Sequence, residues 1–354
     1  WRRATAMIHH QDDRITPLHG AGGELMGQLL ERLVLPRLGR VRTGSGIDLS
    51  ALDDGATVRL PEGGVGELVL TTDSHVVKPI VFPGGDIGRL AAAGTLNDLA
   101  VMGAQPLALT LAAIIEEGFP MAVLERIVDS LAATLAEVGT PVVCGDTKVM
   151  PAGDLDGIVL NTTGLGIAQR PISDAALRLG DCVLLTGTIG DHGMALLAAR
   201  EEFKLATRLE SDVAPLWPML SALLPLGDSE AVHAMKDPTR GGLAAALNEM
   251  TRKSGLCIEL DEEAIPIREA VRRLSDILGI SPLEVANEGK AIVVVSAEAA
   301  EEALHCLRAP PLGVDAAIVG TVTDEHPTRV ILDTPVGGRR FLDMPLGDPV
   351  PRIC

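Results

Sequence analysis

The sequence predicts an α+β fold with mixed sheets, arranged as two domains and a flexible C-terminal tail. Three observations carry that prediction. The chain has 354 residues, more than one ordinary domain needs. Strand-like stretches outnumber what a plain βαβ alternation would give, so a Rossmann domain fits poorly. A turn-rich seam at QRPISDAALRLGD, residues 169–181, parts two regions that each hold strands and helices. The chain accordingly divides into an N-terminal extension over 1–18 with no assigned role, domains over 19–170 and 171–340, and a tail over 341–354. Met7 is an internal candidate for the native start.

The elements follow in order. In HGAGGELMGQLLERLVLPRL a glycine turn precedes Leu25, Met26, Leu29, Leu30, Leu33 and Val34, which recur at helical spacing. GELVLTTDSHVV alternates and then turns β-branched, predicting a strand that ends near Asp73. PGGDIGRLAAAGTLNDLAVMGAQP reads as a loop and a small-residue helix that stops before Pro106, and LALTLAAIIEEGF as a buried strand. PMAVLERIVDSLAATLAEVG has Pro120 at its start and Gly139 at its end, the asymmetry of a helix. TPVVCGDTKVM reads as a short strand opening into a loop, and LDGIVLNTTGLGIA as a strand. Beyond the seam, DCVLLTGTIGDHGMALLAAR is strand, glycine turn and helix. Residues from about Val213 to Leu224 read as helical, and MKDPTRGGLAAALNEMTRKSG as loop then helix. LCIELDEE, KAIVVVSAE and AAIVGTVTDE read as strands, EEALHCLRA as a helix, and TRVILDTPVGGRRFL as a closing hairpin.

Composition narrows the function. A net charge of −18 repels nucleic acid and anionic membrane, so neither is expected as a general partner. Aromatics are 2% of the chain, so the cores are built from Leu, Val, Ile and Ala. The five cysteines form no CxxC pair and are odd in number, which fits a reducing cytosol rather than a disulfide or zinc framework. No apolar run approaches the roughly 20 residues of a membrane span.

Several aspartates stand beside glycine or threonine at loop or strand ends: Asp48, Asp73, Asp98, Asp146 and Asp237. Such carboxylates can hold Mg²⁺ against phosphate oxygens, although any single one is more often a turn or cap residue. The glycine runs HGAGG, PGGDIG and TRGG each precede a helix, where backbone N–H groups suit anions. The alternative is that the glycines only permit positive φ. Lys148 in CGDTKV and Glu288 in ANEGKA could serve as bases if buried, or could be ordinary ion-pairing residues. His192 in GDHGM reads as a hydrogen-bonding group at a helix start. Finally, FLDMPLGDPVPRIC carries three prolines, which exclude a helix interior and a central strand. Cys354 at its end is either a frayed terminus or a carrier thiol on a tether.

In order along the chain, HGAGGELM, TTDSHVVKPIVFPGGDIGRLAAAGTLNDLAVMGAQP, EEGFPM, CGDTKV, GTIGDHGM, DPTRGGL, ANEGK and PRIC resemble the HypE family of hydrogenase maturation factors, the carbamoyl dehydratases. TLNDLAVMGAQP alone resembles the wider PurM-like superfamily of aminoimidazole-ribonucleotide synthetase, selenophosphate synthetase and thiamine-phosphate kinase. The PRIC ending singles out HypE. The resemblance implies a PurM-like fold whose N-terminal domains pair into a dimeric β-barrel, with a mixed-sheet C-terminal domain. It implies ATP and Mg²⁺ held around Gly22, Gly23, Asp48, Thr72, Asp73, Asp98, Asp146 and Asp237, with the metal on Asp73, Asp98, Asp146 and Asp237. Cys354 would receive a carboxamide from the HypF carbamoyltransferase, and ATP would drive its dehydration to a thiocyanate, with Lys148 and Glu288 removing protons. The cyano group would pass to iron on a HypC–HypD scaffold as the cyanide ligand of a [NiFe]-hydrogenase. Rival readings are a small-molecule ATP enzyme of the same superfamily, which has no need of Cys354, and a non-catalytic carrier for which ATP is a conformational ligand.

Overall fold

The computed structural model describes residues 23–35, 46–47, 49–59, 66–200, 209–226, 230–347, 349–350 and 353. In the N-terminal half, α1 (Gly23–Leu29) runs on into a π-helical turn over Leu30–Val34. There follow β1 (Ala56–Arg59), β2 (Glu67–His75), β3 (Val81–Phe82), β4 (Gly85–Asp86), α2 (Ile87–Val101), β5 (Gln105–Glu116), α3 (Met121–Val138), β6 (Val142–Met150) and β7 (Ile158–Ala168). The sheet order is β1-β2-β7-β5-β6, antiparallel except for the β5–β6 pair. Burial alternates residue by residue along β7, as a strand covered on one face requires. The cover is α2. Asp86 caps it, its Oδ1 accepting from the N–H groups of Gly88 and Arg89 at 2.9 and 3.1 Å. A Cβ at Gly88 would sit 2.0 Å from the Ile127 carbonyl oxygen, so glycine there lets α2 lie against α3. α3 buries only the stripe Ile127, Leu131, Thr134 and Leu135, whereas α2 is buried nearly all round.

The C-terminal half holds β8 (Cys182–Leu185), α4 (Asp191–Arg200), α5 (Trp217–Leu220), β9 (Val232–Lys236), α6 (Gly242–Ser254), β10 (Cys257–Asp261), α7 (Glu269–Leu278), β11 (Ile292–Val295), α8 (Ala300–Arg308), β12 (Ala317–Thr323), β13 (Val330–Asp333) and β14 (Arg339–Phe341). Their sheet order is β14-β13-β10-β12-β8-β11-β9, with β10 and β13 parallel. Every residue of β11 is buried. Ile292 and Val294 join the core under α6, while Val293 and Val295 join the core under α5 and α8. Ala100 and Val101 at the end of α2 enter that second core, so one helix packs against both sheets.

The α+β class and the mixed sheets are as the sequence predicts. The differences are local. β2 runs on to His75 because its last residues pair with Leu160–Thr163 of β7. β5 begins at Gln105, and Pro106 is accommodated by a register shift before Ala108. The predicted helix over 213–224 contracts to α5 and a 3₁₀ turn over Ser221–Leu223. GDTK is not a loop: β6 continues to Met150, and from Cys144 onward it pairs residue by residue with Thr110–Glu116 of β5. After Phe341 the described tail has no helix or strand, yet Leu342, Val350 and Ile353 are buried. No helix among the described residues is long and apolar enough to cross a membrane.

Candidate functional site

A cavity of about 600 Å³ opens where the two halves meet, within the size range of small-ligand pockets. α1 contributes Gly23 and Glu24, β2 contributes Thr72, Asp73 and His75, and α2 contributes Gly94 and Asp98. Asp237 and Arg240 come from the stretch after β9, and Glu288 from the segment before β11. α2 is fixed against both flanks by Asn97. Its Nδ2 donates to the carbonyls of Ala214 and Glu288, each at 3.1 Å, and its Oδ1 accepts from Leu216 N at 2.8 Å. The neighbouring Asp98 accepts from Thr71 Oγ1 at 2.5 Å. Gly94 lets α2 lie close to the site: a Cβ there would lie 3.1 Å from His75 Cε1 and 3.9 Å from both Asp73 Oδ2 and Glu288 Oε2.

Asp73, Asp98, Asp237 and Glu288 therefore crowd one concave surface. Burial, reinforced by the charges of Asp73, Asp237 and Asp54, pushes the Asp98 carboxyl well above the usual carboxylate range. Burial pushes Asp237 up to about 6, with Lys236 opposing and Asp73 adding to the rise. Glu288 is raised well above its ordinary value by burial and by Asp237, Asp212 and Asp73. Its Oε1 is buried without a hydrogen-bond partner. Arg240 approaches Asp73 Oδ1 only to 3.8 Å. A set of buried carboxylates that repel one another fits a divalent cation, which would relieve the repulsion. Arg240 and Arg252 line the same cavity and suit phosphate.

Beside this surface lies a second group of carboxylates. Ligand atoms of Asp53, Asp54 and Asp174 fall within 4.8 Å of one another. Here lysines already supply the countercharge. Lys236 Nζ bonds Asp54 Oδ1 and lies 3.3 Å from Asp174 Oδ2 and 3.5 Å from Glu249 Oε2. Lys253 Nζ donates to Asp174 Oδ2 at 2.8 Å and to the Leu52 carbonyl at 2.6 Å. This cluster stitches the loop before β1 to the C-terminal half at the rim of the cavity.

Of the residues picked from the sequence, Gly23, Thr72, Asp73, Asp98, Asp237 and Glu288 meet in the cavity. Gly22, Asp48 and Cys354 lie outside the described residues. Asp146 and Lys148 are not among the residues that line this cavity in their own chain. Both sit on β6, an exposed edge strand separated from β2 by β7 and β5. Three strand spacings of about 4.8 Å put that edge some 14 Å from Asp73 across the sheet. The sequence reading missed His75, Asp54, Lys236, Lys253 and Arg252. Asp54 in the turn signal LDDG and Lys236 beside Asp237 were visible as residues, but not their convergence.

Two family models match the chain: AIR synthase related protein, N-terminal domain, over residues 52–168, and AIR synthase related protein, C-terminal domain, over residues 178–333. The carbamoyl dehydratase HypE of Azotobacter vinelandii is 45% identical, over 95% of this chain and 96% of that protein. Among solved structures, a HypE–HypF complex matches with a TM-score of 0.82 and 43% identity, covering 90% of this chain and 99% of that one. HypE in complex with ATP matches with a TM-score of 0.78 and 40% identity, covering 95% of this chain and 98% of that one.

Proposed function

The chain belongs to the HypE family of carbamoyl dehydratases within the AIR synthase related proteins, and on that premise we propose that it carries a carbamoyl group on Cys354 and dehydrates it with ATP. The observation that carries this reading is the convergence of Asp73, Asp98 and Asp237 with the orphaned carboxyl of Glu288 in one cavity. A relative of the same fold has been solved with ATP.

The chemistry follows from what an amide lacks. Its oxygen is a poor leaving group, so it must first be activated. The carboxamide oxygen attacks the γ-phosphorus of ATP, an O–P bond forms and ADP departs. Loss of one N–H proton, cleavage of the C–O bond with its electron pair leaving on phosphate, and loss of the second N–H proton give S–C≡N. The net change is thiocarboxamide plus ATP to thiocyanate, ADP and phosphate. Asp73, Asp98 and Asp237 would hold Mg²⁺, which supplies charge neutralisation at the phosphates. Arg240 lies where it can pair with a phosphate oxygen. Glu288, whose burial raises its proton affinity, accepts a proton from the amide nitrogen once ionised.

Asp146 and Lys148 enter this reading through a second copy. β6 is exposed along its length and presents Val143 and Val149 to solvent at 61% and 65% exposure. An unpaired apolar edge of this kind favours pairing with another strand. In a homodimer joined there, Lys148 of one copy serves the cavity of the other. The carbamoyl group comes from a HypF carbamoyltransferase, consistent with the relative solved with HypF, and the cyano group leaves to a HypC–HypD scaffold in the cytoplasm.

ADP release tests the reading. The carbamoylated chain should release one ADP per Cys354, and Cys354→Ala should release none above background. Equal release from both would overturn it.

A further inference from the structure

His192 is fully buried at the start of α4, away from the cavity lining. Both of its ring nitrogens are engaged. Nδ1 lies 2.7 Å from Ser211 Oγ, and Nε2 lies 2.8 Å from the carbonyl oxygen of Ile353. A carbonyl can only accept, so Nε2 carries the proton and Nδ1 accepts from the Ser211 hydroxyl. Ser211 Oγ in turn accepts from Val213 N at 3.1 Å, and Phe82 meets the imidazole edge-on at 5.5 Å. The ring is thus held in one tautomer and one orientation, with its free donor aimed at the tail.

The side chain of Ile353 has a matching seat. Ile353 is 3% exposed and packs in one core with Val285, Met194 and Val350. Gly193 makes room for it: a Cβ there would fall 2.8 Å from Ile353 Cδ1 and 2.1 Å from Val285 Cγ1. Gly193 N also donates to the Ala286 carbonyl at 3.1 Å. The seat is therefore built on residues 285–286, and the same segment carries Glu288 into the cavity.

We propose that His192 is a positioning residue for the tail: its Nε2–H holds the Ile353 carbonyl while the Gly193–Val285 groove holds the Ile353 side chain, and dehydration of the group on Cys354 depends on the tail being anchored in this way. This rests on the dehydratase reading given above. It assigns a purpose to two features that packing alone does not explain. A buried imidazole needs both nitrogens partnered, and here one partner belongs to the tail. The second feature is a hydrophobic core position filled by Ile353 of the tail.

The test uses the full-length chain, carbamoylated to completion by its transferase and checked by mass, then mixed with saturating Mg-ATP. The first-order loss of water from the C-terminal peptide is followed in His192→Leu, His192→Gln, Ile353→Asp and the unaltered chain. His192→Leu and Ile353→Asp should slow it roughly ten- to hundred-fold, the cost of losing a held geometry, with the ATP concentration for half-maximal rate unchanged. His192→Gln, which keeps an N–H donor, should recover part of the rate. Because Ile353 is a core residue, Ile353→Asp is compared only where its thermal melt matches that of the unaltered chain. If both His192→Leu and Ile353→Asp, folded by thermal melting, lose water at the unaltered rate, the seat is overturned while the dehydratase reading stands. If the unaltered chain loses no water, the dehydratase reading falls and takes this proposal with it.

Discussion

The backbone N–H of Glu288 donates to Asp212 Oδ1 at 3.1 Å, so one buried carboxylate holds the backbone that aims another. Asp212 Oδ2 and Glu288 Oε1 are both buried without a hydrogen-bond partner. Stability alone would not favour that arrangement. Glu288→Gln removes the charge and keeps the shape. It should reduce single-turnover dehydration roughly 10²–10⁴-fold, the usual weight of a general base, while ATP binding by calorimetry changes little and the melting temperature does not fall. An unchanged rate would remove Glu288 from the chemistry.

Lys236 is the keystone of the rim cluster. It neutralises Asp54, Asp174 and Glu249 in a site where its own side chain is 8% exposed. Taking one partner from a buried ionic cluster leaves unpaired charge, at a cost of about 3–5 kcal/mol. Lys236→Met should lower the urea midpoint by a corresponding amount. Combining it with Asp54→Asn should restore part of the loss, because that change removes one of the stranded charges.

Asp191 gives a stability effect with a definite pH sign. Burial, with the charge of Asp212 adding, pushes its carboxyl from 3.8 up to about 6, against opposition from Thr188, Arg268 and Lys290. The folded chain then binds that proton more tightly than the unfolded one. The contribution to stability is full below pH 3.8 and is lost as pH rises through about 6. The loss is on the order of 2–3 kcal/mol. Asp191→Asn escapes it, so the melting temperature of the variant relative to the unaltered chain should rise between pH 4.5 and pH 7.5 (roughly the window set by the two titrations). A difference that is flat with pH would contradict the assignment.

Complementation tests whether Lys148 acts across a dimer. Lys148→Ala and Glu288→Gln chains should each be inactive. Co-refolded in equal amounts, half of the dimers are mixed, and each mixed dimer has one intact site of two, which restores about a quarter of the activity. No recovery would confine Lys148 to its own chain.

How much of this was legible beforehand follows from what a sequence can encode locally. Thr72, Asp73, Asp98, Asp237 and Glu288 stand at strand ends, on a small-residue helix or beside glycines, and those contexts mark them. The Lys236–Asp54–Asp174 cluster was not legible, because its members come from three separated segments that only tertiary packing unites. β9 was missed because the five residues VHAMK mix His and Lys into an apolar run that is buried on both faces. β6 was cut short for a different reason. Gly145 and Asp146 look like turn formers, yet the glycine serves a close strand contact: a Cβ at 145 would meet the Leu111 carbonyl oxygen at 2.2 Å. The proline-bearing tail did announce an absence of helix and strand, but not that Ile353 has a seat waiting beside His192.

The central claim is that ATP dehydrates a group on Cys354, and intact mass reads it directly. The carbamoylated chain is weighed before and after Mg-ATP. The account predicts a loss of about 18 Da, the mass of one water, confined to the peptide that contains Cys354 and matched by ADP. A carbamoyl adduct that keeps its mass while ATP is bound would contradict it and leave the chain a carrier.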